Sequence, residues 1–178
     1  MGPGPGVACA VTLNSALTPA QQKLYQDPLV IQRLLRDTRT IAIVGLSTDP
    51  QRASWFVASY LKKAGYRIIP VNPKATEILG EKAYPNLASI PGPVDLVDVF
   101  RPAAEATGIA RDAVAIKAKS LWLQLKLVNL EAAELATRAG LTVVLDRCVK
   151  MEHGRYFGGL HFAGMNTEIV TARKAKLA

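Results

Sequence analysis

The chain has 178 residues, 49% of them hydrophobic and 20% charged, with a formal net charge of +8. That length suits one domain with a substantial core rather than two ordinary ones, and the composition excludes a disordered chain. No apolar run is long enough to span a bilayer, and the two cysteines, Cys9 and Cys148, form neither a metal-ligand pair nor a disulfide framework, so a reducing cytoplasm is the expected setting.

Residues 1–17 are Gly- and Pro-rich, lack the basic start of a signal peptide, and are expected to form a flexible N-terminus. The domain is expected over 18–155 and a tail over 156–178. The cations are scattered; Arg173, Lys174 and Lys176 come nearest to a cluster and read as a solvated tail. Without a basic stripe interleaved with aromatics, neither nucleic acid nor a membrane is an expected partner.

Thr18-Pro19-Ala20-Gln21 carries the signs of a helix start: a Thr cap, Pro in the first turn and Gln to close a capping box. Asp27-Pro28 restarts that helix, and Leu24, Ile31, Leu34 and Leu35 give it an apolar stripe. Residues 41–44 read as a strand buried on both faces, ending at Gly45. A polar loop follows, then a helix carrying Phe56, Val57, Tyr60, Leu61 and Ala64 and stopped by Gly65. The second strand is expected at 67–71, with Pro70 allowing pairing on one side only. Residues 75–93 contain three prolines and two glycines and predict a loop crossover with at most one short helix near Leu87. Strands at 94–100, 120–123 and 141–145 complete the set. Helices opening at Arg101-Pro102 and at Asn129 separate them, and the second ends at Gly140.

Strands and helices alternate as in βαβ units. The expected fold is α/β, a Rossmann-like doubly wound five-stranded parallel sheet with an N-terminal helical extension. Ligands of such sheets bind beyond the carboxyl ends of the strands. Gly45 lets the backbone turn there, and the loop with its following helix N-terminus suits an anion, although a plain β-to-α turn has the same outline. The G-x-G-x-x-G fingerprint is absent. Arg52 and Ser54 stand where that helix begins and can donate to a pyrophosphate. An NAD site would carry an acid at the end of the second strand; here Asn72 and Lys74 stand instead, and a cation suits an extra phosphate on the ribose.

The segments Ile41-Ala42-Ile43-Val44-Gly45-Leu46-Ser47, Ile69-Pro70-Val71-Asn72-Pro73-Lys74, Tyr84-Pro85, Val94-Asp95-Leu96-Val97-Asp98-Val99-Phe100-Arg101, Trp122-Leu123-Gln124-Leu125 and Asp146-Arg147-Cys148 together resemble the small stand-alone CoA-binding domain family. That family is similar to the CoA-binding domain of the succinyl-CoA synthetase α subunit and of ADP-forming acyl-CoA synthetases. The resemblance covers roughly residues 20–155. It implies coenzyme A, free or acylated, held across the carboxyl edge. The Gly45-Leu46-Ser47 loop would take the pyrophosphate region, the Val71 and Pro73-Lys74 corner the adenosine phosphate end. Phe100, Arg101, Leu123 and Gln124 would line the adenine and pantetheine. Two residues depart from the pattern: Lys126 stands where members commonly have Gly, and Ala53 where they commonly have Pro. The family has no settled reaction, and the related ligases take their phosphate-shuttling histidine from another domain. His153 and His161 therefore read as ordinary histidines, the reading is a binding protein without catalysis of its own, and a protein partner is not indicated. The alternative is an NADP-type oxidoreductase on the same fold. Cys148, just past the fifth strand, is either a buried structural thiol or the partner of a mixed disulfide with CoA, with Arg147 lowering its pKa.

Overall fold

The computed structural model describes residues 17–158, so Cys9, His161, the basic cluster at 173–176 and most of the two expected terminal segments lie outside the described residues. Two short helices open it, α1 (Pro19–Tyr25) and α2 (Pro28–Asp37). Thr18 and Gln21 form the expected reciprocal capping box. Asp27 then accepts from the Leu29 and Val30 amides, which ends one helix and starts the next at a single corner.

Five parallel strands follow in the spatial order β2-β1-β5-β6-β7: β1 (Thr40–Val44), β2 (Arg67–Val71), β5 (Leu96–Val99), β6 (Ser120–Leu123) and β7 (Thr142–Val144). Helices α3 (Ala53–Lys63), α4 (Ala106–Ala115) and α5 (Leu130–Arg138) connect them. Strand parity divides the core between two faces. Ala42, Val97, Val99, Leu121 and Leu123 pack against α4 and α5, whereas Ile41, Ile43, Leu96 and Trp122 pack with residues of α2 and α3. The doubly wound sheet and its helical N-terminal extension are thus as expected.

Pro70 falls on the edge strand with its carbonyl facing outward, so its missing N–H also points away from β1 and costs that pairing nothing. On the outer side of β2 lies Tyr84, whose amide donates to the Pro70 carbonyl and whose carbonyl accepts from the Asn72 amide. The crossover before β5 holds a short turn of 3₁₀ helix at Leu87–Ser89, and also a two-residue ladder, β3 (Glu77–Ile78) with β4 (Glu81–Lys82). Its turn residues Leu79 and Gly80 both have positive φ, the geometry that matches the twist of a tight hairpin. After β7 comes a helix that the sequence pattern did not disclose, α6 (Val149–Phe157), with Cys148 as its N-cap.

Candidate functional site

The chain runs from β1 to β2 on one side and returns to place β5 on the other side of β1. The carboxyl ends of β1 and β5 therefore flank the point where strand order reverses, the position that opens a crevice in this class of sheet. A cleft of about 950 Å³ lies there.

Its floor is the loop after β1. Gly45 has φ +86°, which favours glycine, and a Cβ on it would lie 2.8 Å from Arg101 Cδ and force that overlying side chain to shift. The next residues are braced by their own side chains. The Ser47 amide donates to Ser54 Oγ (3.0 Å), the Asp49 amide to Ser47 Oγ (3.0 Å), and the Gln51 amide to Asp49 Oδ1 (2.9 Å). Such short-range bonds let polar loop residues satisfy the backbone without a ladder. Ser54 keeps its hydroxyl proton to donate. Arg52, the N-cap of α3, is largely exposed, with Asp49 3.8 Å from its Nε.

Asn72 ties this loop to the end of β2. Its Nδ2 donates to the Leu46 carbonyl and its Oδ1 accepts from the Lys74 amide, both at 2.8 Å. An acid in its place would lack the donor for Leu46. The Lys74 ammonium has no partner among the described residues and faces solvent at the cleft. At the end of β5, the Arg101 guanidinium makes a forked pair with Glu105, Nε to Oε2 at 2.9 Å and Nη2 to Oε1 at 2.8 Å. That hydrogen-bonded pairing holds the Glu105 carboxyl below the usual carboxylate range.

Of the residues nominated from sequence, Gly45, Ser47, Arg52, Ser54, Val71, Pro73, Lys74, Phe100 and Arg101 all line the cleft. Leu46 and Leu123 are fully buried, one on each face of the sheet. Gln124 is buried and donates to Asp98 Oδ1 at 2.8 Å. Cys148 stands apart from the cleft lining, packed against the α2/α3 side of the core, and burial pushes its thiol above the ordinary cysteine range. The nearby Arg147 does not activate it: that guanidinium faces Gln26 (3.2 Å) and Glu152 (3.9 Å). His153 is buried, lies 2.9 Å from Tyr60 Oη through Nδ1, and has its pKa lowered by that burial; it is remote from the cleft lining. Sequence reasoning missed the opposite wall, formed by Pro85, Asn86 and Leu87 and by Glu105, Ile109 and Asp112. The four-residue spacing of Arg101 and Glu105 was the available signal for part of it. Among the described residues, no group of three or more His, Cys, Asp or Glu side chains is placed to hold a metal.

Comparison with known proteins fits this arrangement. The sequence profile of the CoA binding domain matches residues 39–154, which takes in the whole sheet and every cleft-lining element. The chain belongs to the CoA-binding domain family. The uncharacterized protein YneT of Bacillus subtilis is 42% identical over 123 residues, covering 69% of this chain and 91% of the relative. A hypothetical protein from Pyrococcus horikoshii superposes with a TM-score of 0.70 at 38% identity, over 72% of this chain and 90% of that one. The α subunit of an ADP-forming acetate–CoA ligase of Pyrococcus furiosus is 40% identical over 65 residues, which span 36% of this chain and 14% of the subunit. The likeness to the ligase is therefore a likeness to one portion of a much larger protein. No helix among the described residues of this CoA-binding domain is long and apolar enough to cross a membrane.

Proposed function

We propose that this protein binds coenzyme A or an acyl-CoA in the cleft at the carboxyl edge of the sheet, and that it does so without catalysing a reaction of its own. The carrying observation is the convergence of Gly45, Arg52, Lys74 and Arg101 on one cleft in a chain of the CoA-binding domain family. A volume of about 950 Å³ is at the upper end of the range for drug-sized ligands and suits a long, bent molecule with one polyanionic end. Gly45 and the α3 N-terminus supply backbone donors for a pyrophosphate. Arg52 and Arg101 supply forked donors, and Lys74 a mobile point charge for a further phosphate. Leu46, Leu123, Gln124 and Cys148 serve this reading as supports beneath the wall rather than as ligand contacts. The comparisons lend nothing to the nicotinamide alternative. We assign the site to holding rather than transforming its ligand, in a reducing compartment, and the raised pKa of the buried Cys148 thiol is in keeping with that.

Calorimetric titration with CoA, acetyl-CoA, NAD and NADP tests this reading. Tighter binding of either CoA form than of both nicotinamide cofactors is expected. Equal or stronger binding of NADP would overturn it.

A further inference from the structure

Two carboxylates, Glu105 and Asp112, share a cleft with three cations. One of them is already engaged. Glu105 fills the fork of Arg101 with two short hydrogen bonds, and the Arg101 stem lies across Gly45 so closely that a methyl group there would collide with it. The guanidinium best placed to meet an anion over the Gly45 loop is thus occupied by an internal one.

We infer that Glu105 is a built-in competitor for Arg101, which a polyphosphate ligand must displace. The inference deepens the CoA reading: it concerns the regulation of that same cleft. Both side chains are about half exposed, Arg101 at 49% and Glu105 at 45%, so the pair exchanges its partners in solvent without unfolding anything. A carboxylate and a phosphate group each present two oxygens to a guanidinium fork, so the incoming ligand can replace Glu105 bond for bond. A lone carboxylate ligand gains nothing by that exchange. A pyrophosphate does, because its remaining charge reaches the Gly45 loop amides and Arg52, which Glu105 cannot. Glu105 therefore raises the threshold for weak monoanions and leaves diphosphates able to enter. Pro102 and the 3₁₀ turn at Ala103–Glu105 fix the competitor close to the end of β5, so it is always at hand when the ligand leaves.

The test is calorimetric titration of the full chain with inorganic pyrophosphate and, separately, with CoA, using the wild type, Glu105→Gln, Arg101→Gln and the double variant. Glu105→Gln keeps the side-chain shape and removes the charge. It is expected to tighten pyrophosphate about three- to ten-fold, the combined effect of releasing an exposed ion pair and removing a repulsive charge. Arg101→Gln is expected to weaken it, and in that background the second substitution should give less than half of its original gain. Unchanged or weaker pyrophosphate binding in Glu105→Gln, an equal gain in both backgrounds, or no pyrophosphate binding in any variant would overturn the inference. The CoA arm is separate: wild-type protein that binds pyrophosphate as tightly as CoA defeats the CoA reading and leaves the Glu105 result standing.

Discussion

Gln124 donates through Nε2 to Asp98 Oδ1 across 2.8 Å, while Asp98 Oδ2, sealed inside the sheet, has no hydrogen-bond partner among the described residues. The carboxyl sits between Ile43 of β1 and Trp122 of β6, on the face that also holds Cys148, and among the described residues no cation pairs with it. Burial pushes its pKa up to about 7, although the Gln124 and Val99 bonds oppose the rise.

This raised value sets a direction for stability against pH. Unfolded, Asp98 titrates near 4; folded, near 7, so between those values the folded state holds the extra proton. Its contribution is favourable below pH ~4 and is lost as pH rises to ~7. Asp98→Asn should therefore be more stable than wild type at pH 8, by about 2–4 kcal/mol, and the gap should close on approach to pH 4. Urea unfolding at several pH values reads this. A gap independent of pH would show that Asp98 is ionised throughout or relaxes its surroundings.

His153 acts in the opposite sense. Its folded pKa is lowered, so stability is present above the unfolded value of ~6.5 and is lost as pH falls below it. His153→Phe should flatten the acid limb of the stability profile between pH 7 and 5, while the Asp98 limb above pH 5 survives. Loss of both limbs in that variant would contradict the assignment.

Lys126 has φ +69°, the left-handed region, and its amide donates to Asp146 Oδ1 at 2.6 Å. The loop thus keeps the backbone that a glycine would adopt freely. Lys126→Gly should stabilise the protein by about 0.5–1 kcal/mol, the strain removed less the entropy added to the unfolded chain. Thermal and chemical unfolding check it; destabilisation would show that the lysine side chain contributes more than its backbone strain.

Lys74→Ala should weaken CoA about five- to thirty-fold and barely change dephospho-CoA, because the ribose phosphate is the group the ammonium is proposed to read. Equal weakening of both ligands would move that role to Arg52 or Arg101.

Cys148 should react slowly. With a Cys9→Ser background to isolate it, a disulfide reagent at pH 8 should modify Cys148 at no more than about one-tenth of the rate of a free thiol, given burial and a raised pKa. Rapid modification, or a CoA adduct at that residue, would restore the mixed-disulfide role.

How far the sequence could be read depended on whether a residue's job was local. The run 41–44 and Gly45 announced a strand and its turn because burial on both faces and a positive φ leave direct marks on residue choice. Lys126 and Leu79 occupy left-handed positions without being glycine, so their turns were hidden. α6 starts on a cysteine cap with no side-chain capping bond, and its inward face mixes Val149 and His153, which blurs the apolar period. Leu46 and Leu123 were nominated by their place at strand ends, yet it is strand parity that turns Leu123 inward beside Leu121. Glu105 and Asp112 carry no strand-end or loop signature of their own, and only the fold brings them to the cleft that Arg101 and Gly45 line.

At the far end of the sheet, the first helix is closed against the last strand. Gln26 Nε2 donates to the Leu145 carbonyl at 2.9 Å, the Leu145 amide donates to the Tyr25 carbonyl, and the two partners are separated by 119 residues in the first of these bonds. Ribosomes build chains from the N-terminus at roughly 5–20 residues per second, so Gln26 exists roughly 6–24 s before its acceptor does. Through that interval the amide that will be buried is served by water, and α1 has no strand end to rest on. α1 is thus made well before the strand end it rests on, and takes its final place only after Leu145 has followed.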